Sequence, residues 1–345
     1  MQNVSIAMAT LNGRRFIIEQ LQSLLSQTVL PSEIVICDDG STDGTVEAIE
    51  CFSKTSAVPI VLVRNEKRLG YSDNFLKAAH LGSSEYIAFC DQDDIWSSKK
   101  LETCMKFIAD TGVEFCAHTV RLIDENGIPG AIHDQNIKKT GAIPPRSEDP
   151  WGVFYGFSQV FHRSILQIIP EACRGKDSET FHTVLSHDRW VYFLASHFCK
   201  IGVIKEPLAD YRQHSGNAFG AKRATLKDKI LKKARDGSYS LGQLTKIASH
   251  RVEMLEANRT KNRAFAFDLA IARWKSVRSF YELRFRLYSS RHLPIRFALL
   301  VWCLFGGAYL PNRYQGLGAK QFLIDLCFGL IGPSLENWLN VRTRK

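Results

Sequence analysis

Glu33-Ile-Val-Ile-Cys37 is an apolar run that passes without a break into Asp38-Asp-Gly-Ser-Thr-Asp-Gly44 and then into a stretch at helical spacing, Thr45 to Phe52. A short, continuously apolar strand is one buried on both faces, and the turn residues at its end hand the chain to a covering helix. The same unit recurs on either side. Val4-Ser-Ile-Ala-Met8 is a strand stopped by Thr10-Leu-Asn-Gly13, and residues 15–27 then place Phe16, Ile17, Leu21, Leu24 and Leu25 at helical spacing. Ile60-Val-Leu-Val63 is a third strand and Asp73 to Leu81 its helix; Tyr86-Ile-Ala-Phe-Cys90 is a fourth, ending at Asp91-Gln-Asp-Asp-Ile-Trp96. This alternation predicts an α/β fold, a mostly parallel sheet with helices on both faces. In such sheets ligands bind beyond the carboxyl ends of the strands. Both acidic clusters stand at such ends, and they make one site if their strands are neighbours.

Each cluster has two readings. Asp91, Asp93 and Asp94 crowd like charges onto one loop, which raises their pKa values and destabilises the fold unless a cation is bound. A hard divalent ion, Mg2+ or Mn2+, held by one or two carboxylates and phosphate oxygens would relieve that cost. Alternatively Asp94 caps a helix starting near Ser97 and the loop is a solvated turn. In Asp38-Asp39-Gly-Ser-Thr-Asp43 a carboxylate could accept from a base imide or a ribose hydroxyl, or Asp43 or Ser41 could cap the helix at Thr45. Ser186-His-Asp-Arg-Trp190 opens an apolar helix to Phe198, and Asp188 there is either a general base or a carboxylate stabilised by the helix dipole.

Together, Ser5-Ile-Ala-Met-Ala-Thr-Leu-Asn12, Glu33 to Thr45 and Tyr86 to Trp96 resemble the family 2 glycosyltransferases of the GT-A fold. Asn65 to Asn74 is similar to that family's loop after the third strand. The likeness is dense over 3–120 and thins toward 217. It implies a nucleotide-sugar site in which Asp39 contacts the nucleobase and Thr10 lines the pocket, although Ala9 stands where the family often has proline. It places Asp91 near ribose and metal, and Asp93 as metal ligand at the diphosphate. Asp188 matches the family's acidic-Asp-Trp motif with His187 in place of the first acid, which makes Asp188 the base of an inverting transfer. Tyr211-Arg-Gln-His-Ser-Gly-Asn217 resembles the closing segment of rhamnosyltransferase-like members. There His214 could ligate the metal and Arg212 could pair with the diphosphate. Trp151, in Trp151-Gly-Val-Phe-Tyr-Gly-Phe157, and Trp190 are candidates for acceptor binding, with Phe154 better read as core. The glycines and prolines of 124–149 predict a mobile loop or lid.

Residues 1–220 are expected to form the catalytic domain, with a nucleotide-sugar half to about 120 and an acceptor half beyond it. Residues 221–345 change character. They hold 24 Lys/Arg against 8 Asp/Glu, a net of +16, whereas the first 220 residues hold 21 against 27, a net of −6. Basic stretches at Lys222 to Arg235 and Arg284 to Arg296 flank or precede two apolar runs. Phe297 to Leu310 is shorter than the roughly 20 residues needed to cross a bilayer, and Phe322 to Ile331 is shorter still and contains Asp325. The region is expected to be helical. It either seats the protein on an anionic membrane face or packs with a solvated basic surface. No nucleic-acid module is recognisable. Nine scattered cysteines without a C-x-x-C pair suit reduced thiols, and the amino-terminal residues do not read as a signal peptide. The expected setting is the cytoplasm at the inner face of the cell membrane. The expected function is metal-dependent sugar transfer from a dTDP- or UDP-sugar to a glycan or lipid-linked glycan in surface-polysaccharide synthesis, with rhamnose a candidate sugar. A nucleotidyltransferase would need a glycine-rich basic signature that Gly13-Arg-Arg15 does not supply. A non-catalytic membrane-associated assembly protein would have no reason to hold Asp39, Asp91, Asp93 and Asp188 together.

Overall fold

A computed structural model describes residues 3–214, 226–311 and 316–331. Residues 222–225 of the first basic stretch and 215–217 of the Tyr211–Asn217 segment lie outside them. The chain divides into two compact units: residues 1–145, 152–171 and 186–221, and residues 146–151, 172–185 and 222–345.

The first unit follows the alternation read from the sequence. Its elements begin β1 (Val4–Thr10), α1 (Ile17–Leu25), β2 (Glu33–Asp38), α2 (Thr45–Ser53), β3 (Ile60–Arg64), α3 (Tyr71–Leu81) and β4 (Tyr86–Cys90). They continue with β5 (Ile95–Trp96), α4 (Lys100–Thr111), β6 (Phe115–Ile123), β7 (Pro129–His133), β8 (Gly141–Ile143), β9 (Val160–His162), α5 (His187–Phe198) and β10 (Ile201–Arg212). One mixed sheet runs β3-β2-β1-β4-β9-β6-β10-β5, with β7 on the edge of β6 and β8 on β10. The strands β1 to β4 are mutually parallel, and β9 is antiparallel to both β4 and β6. β1, β2 and β4 are buried along their length, Ile6, Met8, Ile34, Ile36, Ala88 and Cys90 being at or near full burial in one core, whereas the edge strand β3 is half-buried with Val61 exposed. The stretch 124–149, read as an open loop, contributes two short antiparallel strands, β7 and β8, to that sheet.

β2 and β4 are not neighbours, the condition set for a shared site; β1 lies between them. The chain proceeds from β1 to β2 and β3 on one side and then returns to β4 on the other. The order therefore reverses at β1, which is where an open α/β sheet forms its crevice. The acidic loops flank that point from both sides.

The second unit is helical: α6 (Leu226–Ala257), α7 (Ala264–Ser289), α8 (Leu293–Phe305) and α9 (Ala319–Ile324), which continues as a π-helical segment Asp325–Ile331. Leu287, Leu300, Cys303, Ala308 and Tyr309 form its small terminal core. Asp325, conspicuous inside an apolar run, is fully buried and accepts from Arg284 Nε (2.6 Å) and Nη2 (3.0 Å), Tyr288 (3.0 Å), Tyr309 (3.1 Å) and Gln321 (2.9 Å). Such a network is favourable only when complete, because a guanidinium left alone in the interior keeps its desolvation cost. All nine cysteines are free thiols and six are buried. Asp325→Ala should destabilise this unit by about 3–5 kcal/mol, since the Arg284 charge stays buried without its partner. A denaturant melt followed by far-UV circular dichroism would check it, and an unchanged midpoint would contradict the assignment.

Candidate active site

The loops after β1, β2 and β4 are knitted together by their own side chains. Asp38 closes the loop after β2, its Oδ1 accepting the N–H groups of Gly40 (3.1 Å) and Ser41 (2.9 Å). Its Oδ2 takes the Thr10 hydroxyl at 2.9 Å. Thr10 is 2% exposed. The role expected of it as a pocket wall is therefore replaced by one as a strut between β1 and β2. Asn12, at φ +50°, accepts from Thr42 N (2.9 Å), and Asp43 accepts from both Arg14 N and Thr45 N at 3.0 Å. Asp43 thus accepts the first N–H of α2 from one position before the N-cap, which is Gly44, and also ties down the loop after β1.

Gln92, between Asp91 and Asp93, fastens the third loop. Its amide brackets one residue, Oε1 accepting from Leu11 N (3.0 Å) and Nε2 donating to Leu11 O (3.1 Å). A Cβ at position 13 would sit 2.3 Å from Gln92 Oε1, so Gly13 is required for that approach.

Asp39 is buried, and its carboxylate accepts from Leu69 N (2.6 Å) and Asn65 Nδ2 (3.0 Å) on one oxygen and Gly70 N (2.8 Å) on the other. Arg68 Nε approaches to 4.0 Å. The Asn65–Asn74 loop is therefore organised around Asp39. Asn74 anchors its far end by donating to Cys37 O (2.7 Å) and accepting from Asn65 (2.8 Å).

Beyond β4 the carboxylates crowd. Burial, then the charges of Asp93 and Asp188, push Asp91 up to about 8. Asp94 is driven well above the usual range by burial and by Asp93 and Asp91. Its Oδ1 accepts Arg212 N at 3.0 Å, whereas its buried Oδ2 has no hydrogen-bond partner. Asp94 does not cap α4, which starts later at Lys100. The start of α5 packs on β4 through the rings of His187 and Phe89, 4.8 Å apart, and the charge of Asp188 adds to the upward shift of Asp91 nearly a hundred positions away.

At that start, Asp188 Oδ1 accepts from the Ser186 hydroxyl and from Arg189 N (2.8 Å). His187 turns inward, stacked on Phe75 (centroids 4.0 Å apart, planes at 18°) and edge-on to Phe89 at 4.8 Å. In place of a second acid, His187 is thus an aromatic wedge that seats α5 on α3 and β4. A Cβ at Gly156 would lie 2.6 Å from His187 Nε2, so a side chain there would displace the His187 ring.

His214 Nε2 meets Asp93 Oδ2 at 2.8 Å, with the His214 ring 4.9 Å from that of Phe16. Arg212 has a different place from the one expected. It is 2% exposed and donates to Asp93 O (2.8 Å), Glu125 O (3.2 Å) and Glu19 (2.6 Å), its guanidinium 4.7 Å from the Phe16 ring centroid. It braces the acidic loop from behind and has no face turned to a diphosphate. Trp190 is also fully buried, stacked on Phe193, with no surface for an acceptor. Trp151 belongs to the helical unit, edge-on to Trp274 (5.1 Å) and Tyr281 (5.4 Å). Phe154 is core, as read.

A divalent cation fits this chemistry in part. Asp91 and Asp93 supply hard oxygen donors whose mutual repulsion a cation would relieve, and His214 adds a nitrogen beside Asp93. Among the described residues no three His, Cys, Asp or Glu side chains already converge on one point. The arrangement suits an ion that is completed by phosphate oxygens. Sequence reasoning passed over Gln92 and Lys100 and did not separate Asp38 from Asp39. Lys100 is fully buried, donates to Phe157 O (2.5 Å), lies 3.1 Å from the Trp96 ring centroid and is pulled down to about 8 by burial. Its charge opposes the upward shifts of Asp91 and Asp94. Nothing local in the sequence marks it, since it opens an ordinary amphipathic helix.

Residues 5–169 match the family model "Glycosyl transferase family 2". Over 127 residues the chain is 33% identical to the Escherichia coli UDP-Glc:alpha-D-GlcNAc-diphosphoundecaprenol beta-1,3-glucosyltransferase WfgD, covering 37% of this chain and 49% of that protein. It is 35% identical over 115 residues to WfaP of the same organism, which carries the same description, covering 33% and 45%. The chain thus spans about half the length of the curated relatives it matches. Among solved structures, S. aureus TarS 1-349 in complex with UDP-GlcNAc superposes with a TM-score of 0.55 at 15% identity, over 81% of this chain and 91% of that one. Asp188, Arg212 and His214 lie beyond the stretch the family model matches. The chain has the GT-A fold with a helical carboxyl-terminal region, and the stretch that matches the family 2 glycosyl transferase model carries β1 to β9.

Proposed function

We propose that this protein transfers a sugar, with inversion, from a nucleoside-diphosphate donor to a hydroxyl of a glycan or lipid-linked glycan in bacterial surface-polysaccharide synthesis. The observation that carries the reading is that α5, seated on β4 through His187 and Phe89, carries in its first turn Asp188, whose charge bears on Asp91 of the loop after β4 that also carries Asp93. The nucleoside would lie over the loops after β1 and β2, with Asp39 organising the base-side loop through Leu69 and Gly70. The names of WfgD and WfaP and the TarS complex favour a UDP-sugar over a dTDP-sugar, and give rhamnose no added support.

Asp188 is the proposed base. Its Oδ1 is held by Ser186 and Arg189, while Oδ2 has no hydrogen-bond partner among the described residues. Oδ2 would accept the acceptor hydroxyl's proton as that oxygen attacks the anomeric carbon, and the bond from that carbon to the diphosphate breaks on the opposite face. Asp91, Asp93 and His214 would hold Mn2+ or Mg2+, whose charge would neutralise the departing diphosphate. Contact with the inner face of the cell membrane would bring a lipid-linked acceptor within reach. The wholly buried Arg212 is assigned to holding the loop.

Calorimetric titration with UDP, dTDP, GDP and CDP, with Mn2+ and after chelation, tests the donor site. One nucleotide should bind only with metal, and Asp93→Ala should abolish that binding; failure of every nucleotide to bind folded protein would overturn the reading. Asp188→Asn should lower turnover by roughly 10²–10⁴-fold, the usual worth of a general base, while leaving nucleotide affinity near that of the wild type. Unchanged turnover would remove Asp188 as the base. Gln92→Ala should cost about 1–2 kcal/mol of stability from its two hydrogen bonds to Leu11, and should weaken nucleotide binding by loosening the loop after β1. Paired melting and calorimetry would show whether both change.

A further inference from the structure

The helical unit carries a surface that sugar transfer does not use. On α8, Leu300 and Cys303 turn into the small core with Leu287 and Tyr309, and Arg296, the helix's one charged residue, turns inward with them. The opposite side is occupied by Leu293, Ile295, Phe297, Trp302, Leu304 and Phe305, with Phe297 59%, Trp302 69% and Phe305 85% exposed. At 100° per residue these positions, with Pro294, Ala298 and Val301 among them, fill an arc of about 200° that holds no charged or hydrogen-bonding chain group except the Trp302 indole N–H. Monomeric soluble proteins rarely leave a contiguous apolar face of this kind in water.

We infer that this face of α8 inserts into the interfacial layer of an anionic lipid bilayer and so docks the protein as a peripheral membrane protein. This deepens the membrane contact proposed above and rests on that reading for its purpose. Three observations select a bilayer as the occupant. The helix has 13 residues, too few to span, and no described helix is long and apolar enough to cross a membrane, so it can only lie in the surface. Large aromatic side chains dominate the outward arc, with a Trp whose ring is suited to the headgroup boundary. Arg291 stands exposed just before the helix, with Arg286, paired to Glu282 at 2.8 Å, one turn behind it, in a region of net charge +16 that complements anionic headgroups. A protein partner would call for a polar rim with hydrogen bonds, and the arc offers almost none.

Flotation of the full chain with phosphatidylcholine vesicles, with and without phosphatidylglycerol, tests the face. The wild type should float with the anionic vesicles and fall away as salt is raised. Phe297→Ser/Trp302→Ser/Phe305→Ser should weaken partitioning by at least about tenfold, as expected for losing most of an amphipathic helix's apolar contact, while its melting temperature and UDP affinity stay unchanged. Arg286→Gln/Arg291→Gln should reduce the preference for anionic lipid and spare the residual binding to neutral vesicles. Equal flotation of the triple variant and the wild type would overturn the inference. So would a wild-type dimer in sedimentation velocity that the triple variant loses, because the face would then belong to a second copy. UDP binding without flotation would sink the docking face alone, whereas flotation without any nucleotide binding would sink the transferase reading and leave the face standing.

Discussion

Carboxylate repulsion at the carboxyl end of β4 is the constraint around which the first unit is arranged. Asp91, Asp93 and Asp94 share the loop after β4, and burial first and their mutual charges second displace Asp91 and Asp94 upward, with Asp188 adding to the shift of Asp91. Left to themselves such groups would protonate or push the loop apart. The surroundings prevent the second outcome. Arg212 grips the loop by its backbone, through Asp93 O, and by the Asp94 side chain, through its own N–H. Gln92 pins the loop to Leu11, and Lys100 sets a positive charge underneath. The loop is held while its charge stays incompletely balanced, a condition that the proposed cation and diphosphate would relieve.

The same logic explains where the arginine went. A guanidinium aimed at a diphosphate would need to be reachable by it. One that donates to the carbonyls of Asp93 and Glu125 and to Glu19, over the Phe16 ring, instead braces the loop that carries Asp93. Removal of such a support changes geometry before it changes charge, so its effect on ligand binding would come through the position of Asp93 and its neighbour His214.

Strand and helix order over 4–90 could be read directly, because each strand is an unbroken apolar run ended by turn residues and each helix keeps its stripe. The acidic clusters after β2 and β4 stood out because each follows directly on an unbroken apolar run. What could not be read was pairing. That β1 would lie between β2 and β4 depends on which runs bury each other, and an apolar strand fits either neighbour equally well. Nor could the split of labour between adjacent residues be seen. Asp38 and Asp39 are consecutive in an exposed-looking turn, yet one bonds Thr10 and its own loop while the other collects the loop after β3. Neighbouring side chains on a strand end point to opposite faces, and each was claimed by whichever loop lay there.

The two apolar runs of the helical unit meet the same limit. In sequence both read as amphipathic stretches, and Phe322 to Ile331 reads as the less apolar of the two because it contains Asp325. In the fold Asp325 is the buried partner of Arg284, so its charge costs that run nothing at the surface. The run beginning at Phe297 follows a hidden charge, Arg296, and leaves its aromatic residues outside. Hydropathy averaged over a window cannot separate these cases. What separates them is whether a charged side chain finds its complement within reach inside the unit: Asp325 finds Arg284, Tyr288, Tyr309 and Gln321, and its segment settles into the core. The outward face of α8 presents no group that the unit could satisfy, and its complement must come from an apolar medium beyond it.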